Sequence, residues 1–143
     1  MSDINQRRID MVKNHMQLEI ESDWDGVIAT FEHPRYELYG SGVVFDGEAS
    51  VRKYFAASRT PFPDQANEII TIAASGEAVL VEFWLTGTHL GPLRVANETI
   101  EATGRTFKGR MMASFEFASG SDKIICERPY FDQCAVTSAQ GLT

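Results

Sequence analysis

The chain is short of most residues that mark specialised chemistry. It has 143 residues, with two cysteines and three histidines. Cys126 and Cys134 are too few for a disulfide framework, and both are expected as free thiols, Cys126 as packing inside an apolar strand. His15, His33 and His89 are scattered, with no Cys or carboxylate at a recognised ligand spacing, so no metal site is expected. Basic residues are also in deficit: 13 Lys and Arg against 20 Asp and Glu, a net charge of −7. That balance excludes an extended nucleic-acid surface, which needs clustered cations, and disfavours an anionic membrane. Apolar runs are too short to cross a bilayer. The opening MSDINQRRID is polar from its second residue, so no signal peptide is expected and the protein is expected in the cytoplasm. Repeats, linkers and low-complexity tracts are missing, which leaves one domain over residues 1–143 as the expectation.

What is present is an ordinary globular composition, 43% hydrophobic and 23% charged. Ile9, Val12, Met16 and Ile20 recur at helical spacing, with Asp3 as N-cap. A second helix fits Trp24 to Phe31 behind Asp23 and stops at His33-Pro34. Short strands are read at Arg35–Tyr39 and Val43–Phe45, then a helix from Glu48 to about Ser58. Thr60-Pro61-Phe62-Pro63-Asp64 is a rigid break. Long strands follow at Glu68–Ala73, Ala78–Thr86, Thr106–Phe117 and Lys123–Phe131, with Gly87–Thr103 as an irregular connection. This order predicts an α+β fold, with helices laid on one face of a strongly curved, mainly antiparallel sheet. Such a cone encloses a pocket suited to a small molecule.

The last strand, KIICERPYFDQ, draws the eye because it ends on an acid among aromatics. Alternation puts Arg128, Tyr130 and Asp132 on one face and Glu127, Pro129 and Phe131 on the other. The first face offers a general acid/base with a phenol and a guanidinium beside it. On the preceding strand Arg110, Met112, Ser114 and Glu116 share a face. Arg110 beside Asp132 would lower its pKa, whereas burial against Met112 and Tyr130 would raise it. His89, in the glycine-bearing TGTHLGPL segment, is a candidate second proton-transfer group or a loop histidine bonded to backbone. Trp24, Tyr36, Tyr39, Trp84 and Met112 are candidate apolar walls, or core.

The strings DWDGVIATFEHPRYEL, GEASVRKYF, FPDQ, VEFWLTGTHLGPL, TGR and ERPYFDQ occur in the order of SnoaL-like polyketide cyclases. The chain resembles that family from about Ile9 to Gln133, within the nuclear-transport-factor-2-like superfamily of cone-shaped α+β barrels. The resemblance implies a cofactor-independent enzyme that removes a proton beside a carbonyl, with Asp132 as its acid/base. It implies an apolar organic ligand and a homodimer through the open sheet face, for which Phe115 and Phe117 are candidates. Two departures stand out. RMMASFEF has no histidine, and Met112 follows Arg110 where the superfamily's epoxide hydrolases have an Asp. The ending CAVTSAQGLT lacks the relatives' leucine-rich tail and is expected to leave the mouth open. The same fold also hosts non-enzymes, so a ligand-binding module and an interaction subunit are the alternatives.

Overall fold

Helical periodicity and caps set the first elements of the computed structural model, which describes residues 3–141. Met1, Ser2, Leu142 and Thr143, the outermost residues of the opening and the tail, lie outside the described residues. Helix α1 runs Ile4–Ile20 with the Asp3 carboxylate accepting from Asn5 N, and α2 runs Trp24–Ala29 with Asp23 accepting from Gly26 N. Both caps satisfy amides that a helix start leaves open. Strands β1 (Arg35–Glu37) and β2 (Val44–Asp46) lead into α3 (Glu48–Arg59). Strands β3 (Ala66–Ser75) and β4 (Ala78–Thr88) form a long hairpin. The segment expected to be irregular holds its own hairpin, β5 (Leu93–Val95) with β6 (Glu98–Ile100). Strands β7 (Thr106–Phe117) and β8 (Ile124–Tyr130) complete the main sheet. The tail, expected to leave the mouth open, instead folds as α4 (Gln133–Ala139).

The main sheet has six strands in the order β2-β1-β8-β7-β4-β3. It is antiparallel except for the β1–β8 pairing, and it is open, with β2 and β3 at its edges. Register irregularities at Ile69/Thr71 and Glu116/Phe117 are of the kind that bends and twists a sheet. The alternation on β4 and β7 is strict. Val79, Val81, Phe83 and Leu85 are buried on β4; Phe107, Met111, Ala113, Phe115 and Phe117 on β7. They meet Val12 and Met16 of α1 and Val51, Tyr54 and Phe55 of α3 in one core. Burial of each large side chain there is worth about 1.5–3 kcal/mol. Phe115 and Phe117, expected on an exposed dimer face, therefore belong to the core. Arg8 ties α1 to the strand turns, through Ser121 O at 2.8 Å and the Glu77 carboxylate at 2.7 Å. Among the described residues no helix is long and apolar enough to cross a membrane.

Helix α4 lies on β7 at Gly109. A Cβ there would stand 3.1 Å from the Ala135 methyl and 2.7 Å from Met111 Cε, so any side chain would have to displace the Met111 tip and press on α4. The contact brings Val136 inward over the open end of the helix-covered sheet face.

Candidate active site

Strand alternation divides the expected site residues correctly into two faces, but the face that looked chemical is the outer one. Asp132 is exposed and caps α4, its Oδ1 accepting from Cys134 N at 3.0 Å and Ala135 N at 3.3 Å. Arg110 is exposed and pairs with Glu82 at 3.1 Å rather than with Asp132. Arg128 bridges Glu37 at 3.0 Å and Glu116 at 3.4 Å on the outer surface. Met112, Tyr130 and Tyr39 are 45%, 39% and 70% exposed, and the two tyrosine rings pack 4.5 Å apart. Trp84 lies on the same outer face beneath Lys108 and Arg110. Trp24 stacks on Phe55 at the margin of the core. His89 is fully buried, but at the far end of β4, where Thr103 N donates to its Nδ1 and Phe62 flanks the ring. The Asp132 carboxylate satisfies helix amides, so Asp132→Ala is expected to cost about 1 kcal/mol in urea unfolding.

The inner face holds a different constellation. Glu127 lies opposite Phe115 in the β7–β8 register and is 6% exposed. Its Oε1 is 2.8 Å from Nε2 of His15, which α1 supplies and which is wholly buried. Glu19, one helical turn on, places Oε1 3.3 Å from the same nitrogen. The Tyr36 hydroxyl is 3.3 Å from it. Of the expected pocket residues, Tyr36 alone joins this cluster. Phe31 and Phe115 set their rings edge-on to the imidazole, at 5.4 and 5.2 Å.

Hydrogen bonding fixes one proton. Thr30 Oγ1 donates to Val27 O at 2.6 Å, and a hydroxyl has one proton to give. His15 Nδ1, 2.8 Å from that oxygen, must therefore be the donor to it. Nε2 is left facing the carboxylates. Burial alone would lower the His15 pKa, but the charge of Glu19 and the bond to Glu127 overcome it and raise it to about 10. The ring is an imidazolium at neutral pH. Burial works on Glu127 in the other direction. Together with the Glu19 charge it raises the carboxyl to about 7, against the pull of His15. Burial also pushes Glu19 upward, but His15 and Arg59 more than offset it and hold Glu19 below its ordinary value. Tyr36 is driven well above the phenol range by burial and the neighbouring carboxylates, so it stays a neutral hydroxyl.

Glu19 and Glu127 line a void of about 30 Å³, with Arg59, Tyr54, Gln65 and Asn67. That is room for about one water. The void shares Tyr54, Gln65, Leu85 and Phe131 with a wider cavity of about 480 Å³. The wider cavity is walled by Leu38, Phe62, Leu93, Phe107 and Val136, so β5 and α4 both shape its mouth. The result is an apolar chamber with a charged, water-poor closed end. Among the described residues, His15, Glu19 and Glu127 are the trio of metal-ligand types whose donor atoms fall within 4.8 Å of one another. The two acids already have cationic partners in the His15 ring and Arg59, and His15 Nε2 is engaged by Glu127. The trio is thus complete as a proton-holding network. One signal for it was legible in the sequence: His15 and Glu19 stand four apart on a helix, hence on one face.

This architecture is an apolar cavity on an NTF2-like fold, and a SnoaL-like domain model matches residues 12–126. The chain belongs to the SnoaL-like domain family. The match reaches Cys126, one residue short of Glu127. A candidate SnoaL-like polyketide cyclase from Jannaschia sp. CCS1 superposes with a TM-score of 0.83 at 20% identity, over 97% of this chain and 94% of that one. A protein of ketosteroid isomerase-like fold from Catenulispora acidiphila gives 0.74 at 14% identity, over 93% of each chain. An epoxide hydrolase from M. tuberculosis gives 0.69 at 19% identity, over 94% of this chain and 90% of that one. No curated protein matches the chain. At these identities the neighbours share the fold, while the chemistry has to be argued from this chain's own residues.

Proposed function

We propose that the protein is a cofactor-independent acid/base enzyme acting on an apolar, carbonyl-bearing small molecule, with Glu127 as the proton-transfer group in place of Asp132. One observation carries this reading. A carboxyl held near neutrality lies at the closed end of an apolar chamber, hydrogen-bonded to a buried imidazolium. A base whose pKa sits near the working pH is both available and strong enough to take a proton from carbon. The SnoaL-like neighbours, polyketide cyclases among them, add support for a carbonyl substrate. His15 orients Glu127 through the 2.8 Å bond, and Thr30, accepting from Nδ1, anchors the ring.

The test needs no knowledge of the native substrate. 2-Tetralone is a compact bicyclic ketone with acidic α-protons. In D2O the protein should accelerate exchange of those protons, followed by proton NMR. Binding without exchange across a panel of such ketones would make the chamber a carrier site.

We also propose that a second copy of the chain covers the outer sheet face. Leu80, Met112 and Tyr130 are 42%, 45% and 39% exposed, and they border a groove of about 410 Å³. Apolar surface of this kind, rimmed by Glu82 and Arg110, is typical of a protein contact. Light scattering should report a dimer at micromolar concentration and a monomer for Met112→Glu. A monomeric parent protein contradicts the assignment.

A further inference from the structure

We propose that Arg59 is the group that receives the substrate's carbonyl oxygen, donating its Nε–H to it as the enolate forms. The proposal rests on Glu127 as the base and adds the electrophilic half of the site.

Arg59 is the last residue of α3, and its side chain is 14% exposed. Three contacts hold the guanidinium in place. One terminal nitrogen donates to Ser58 Oγ at 2.8 Å. The other lies 3.8 Å from Glu19 Oε2. The plane sits over the Trp24 ring, with Cζ 5.0 Å from the centroid. Nε alone is closed off from solvent without a hydrogen-bond partner. Buried donors are almost always satisfied, so an orphan of this kind calls for an absent partner. The residue lines the same small void as Glu127 and Glu19. That void accommodates one small polar atom, and the wider cavity beyond it accommodates the apolar body. A terminal carbonyl on a ring system fits this division.

The step balances within the site. Glu127 takes the α-proton as the C–H bond breaks, and that electron pair becomes the C=C bond of the enolate. The carbonyl π pair moves onto oxygen, which the unpartnered Arg59 Nε–H of the same void then binds. Fixed donors at the point of developing charge are the strongest lever an enzyme of this type has. Glu127 then exchanges that proton for a solvent deuteron and delivers it to the α-carbon: the C=C pair forms the new C–D bond, the oxygen pair re-forms C=O, and Glu127 returns to the carboxylate.

The first test separates this role from that of Glu127. Methyl 2-naphthoate is an apolar ester with a terminal carbonyl and no α-hydrogen, so it can bind but not react. In the 15N-labelled protein the Arg59 Hε proton, assigned by its loss in Arg59→Met or Arg59→Lys, should move downfield on saturation with the ester. It should do so equally in Glu127→Gln, whatever becomes of exchange. An Hε resonance that stays put while the ester occupies the cavity overturns the proposal, as does failure of the ester to perturb any cavity resonance. The second test is kinetic. Arg59→Lys keeps a cation beside Glu19 but removes the Nε–H, and exchange of 2-tetralone should fall about 10²-fold. Unchanged exchange in Arg59→Lys also overturns it. Loss of exchange in Glu127→Gln with the Hε shift intact leaves Arg59 as assigned.

Discussion

Glu127→Gln should lower the α-proton exchange of 2-tetralone by about 10²- to 10⁴-fold while the protein stays folded. Gln matches the volume of Glu, and its amide oxygen can still accept from His15. Only the basicity is lost. The pH profile makes the result specific. In the parent protein the active form is the carboxylate, so exchange should climb as pH rises through about 7 and then level off. The residual rate of the variant should show no such step. Asp132→Asn is the matched control. That side chain faces solvent at the start of α4, and its variant should exchange at the parent rate. If Asp132→Asn were inactive and Glu127→Gln active, the site would have to be sought on the outer face after all.

The second large effect is on stability. His15→Leu should cost about 3–5 kcal/mol in urea unfolding, because it strips the central cation from the buried Glu127 and the largely buried Glu19. Among the described residues, Arg59, 3.8 Å from Glu19, would be the cation left to them. Adding Glu127→Gln to His15→Leu should recover part of the loss, which a simple packing defect would not do. The pH dependence follows from the same network. His15 titrates at about 10 in the fold against an ordinary 6.5, so its stabilisation is complete below 6.5 and lost as pH rises to about 10. Glu127 is also raised, from 4.5 to about 7, so its protonated form favours the fold below 4.5 and that contribution fades by about 7. Glu19 is held low, so its contribution is present above 4.5 and lost in stronger acid. In His15→Leu the decline between 6.5 and 10 should disappear.

The fold was readable because it rests on periodicity. The apolar stripe of α1, the caps Asp3 and Asp23, and the full extent of β7 all follow from spacing and side-chain type. The division of β8 into two faces was readable for the same reason. Which face turned inward was not. Alternation is symmetric, and Arg128 and Tyr130 carry more evident chemistry than Glu127 and Pro129. Only the pairing of Glu127 with Phe115 decides the matter, and that is a long-range register. Asp132 was misleading because it has a local purpose: it stands where a helix begins, and its carboxylate caps the amides of Cys134 and Ala135. The β5–β6 hairpin and α4 were hidden by their brevity, yet they shape the mouth. His15 and Glu19 were visible as an i,i+4 pair, but their meaning depended on a carboxylate 112 positions from His15.

The chemistry of this chamber depends on the proton affinity of one side chain. Selective 13C labelling of glutamate carboxyls, with Glu127 assigned through Glu127→Gln, allows its titration to be followed directly by NMR. With Glu127 as the base, its midpoint lies close to 7. A midpoint near 4.5, the ordinary value for a solvated glutamate, would contradict it.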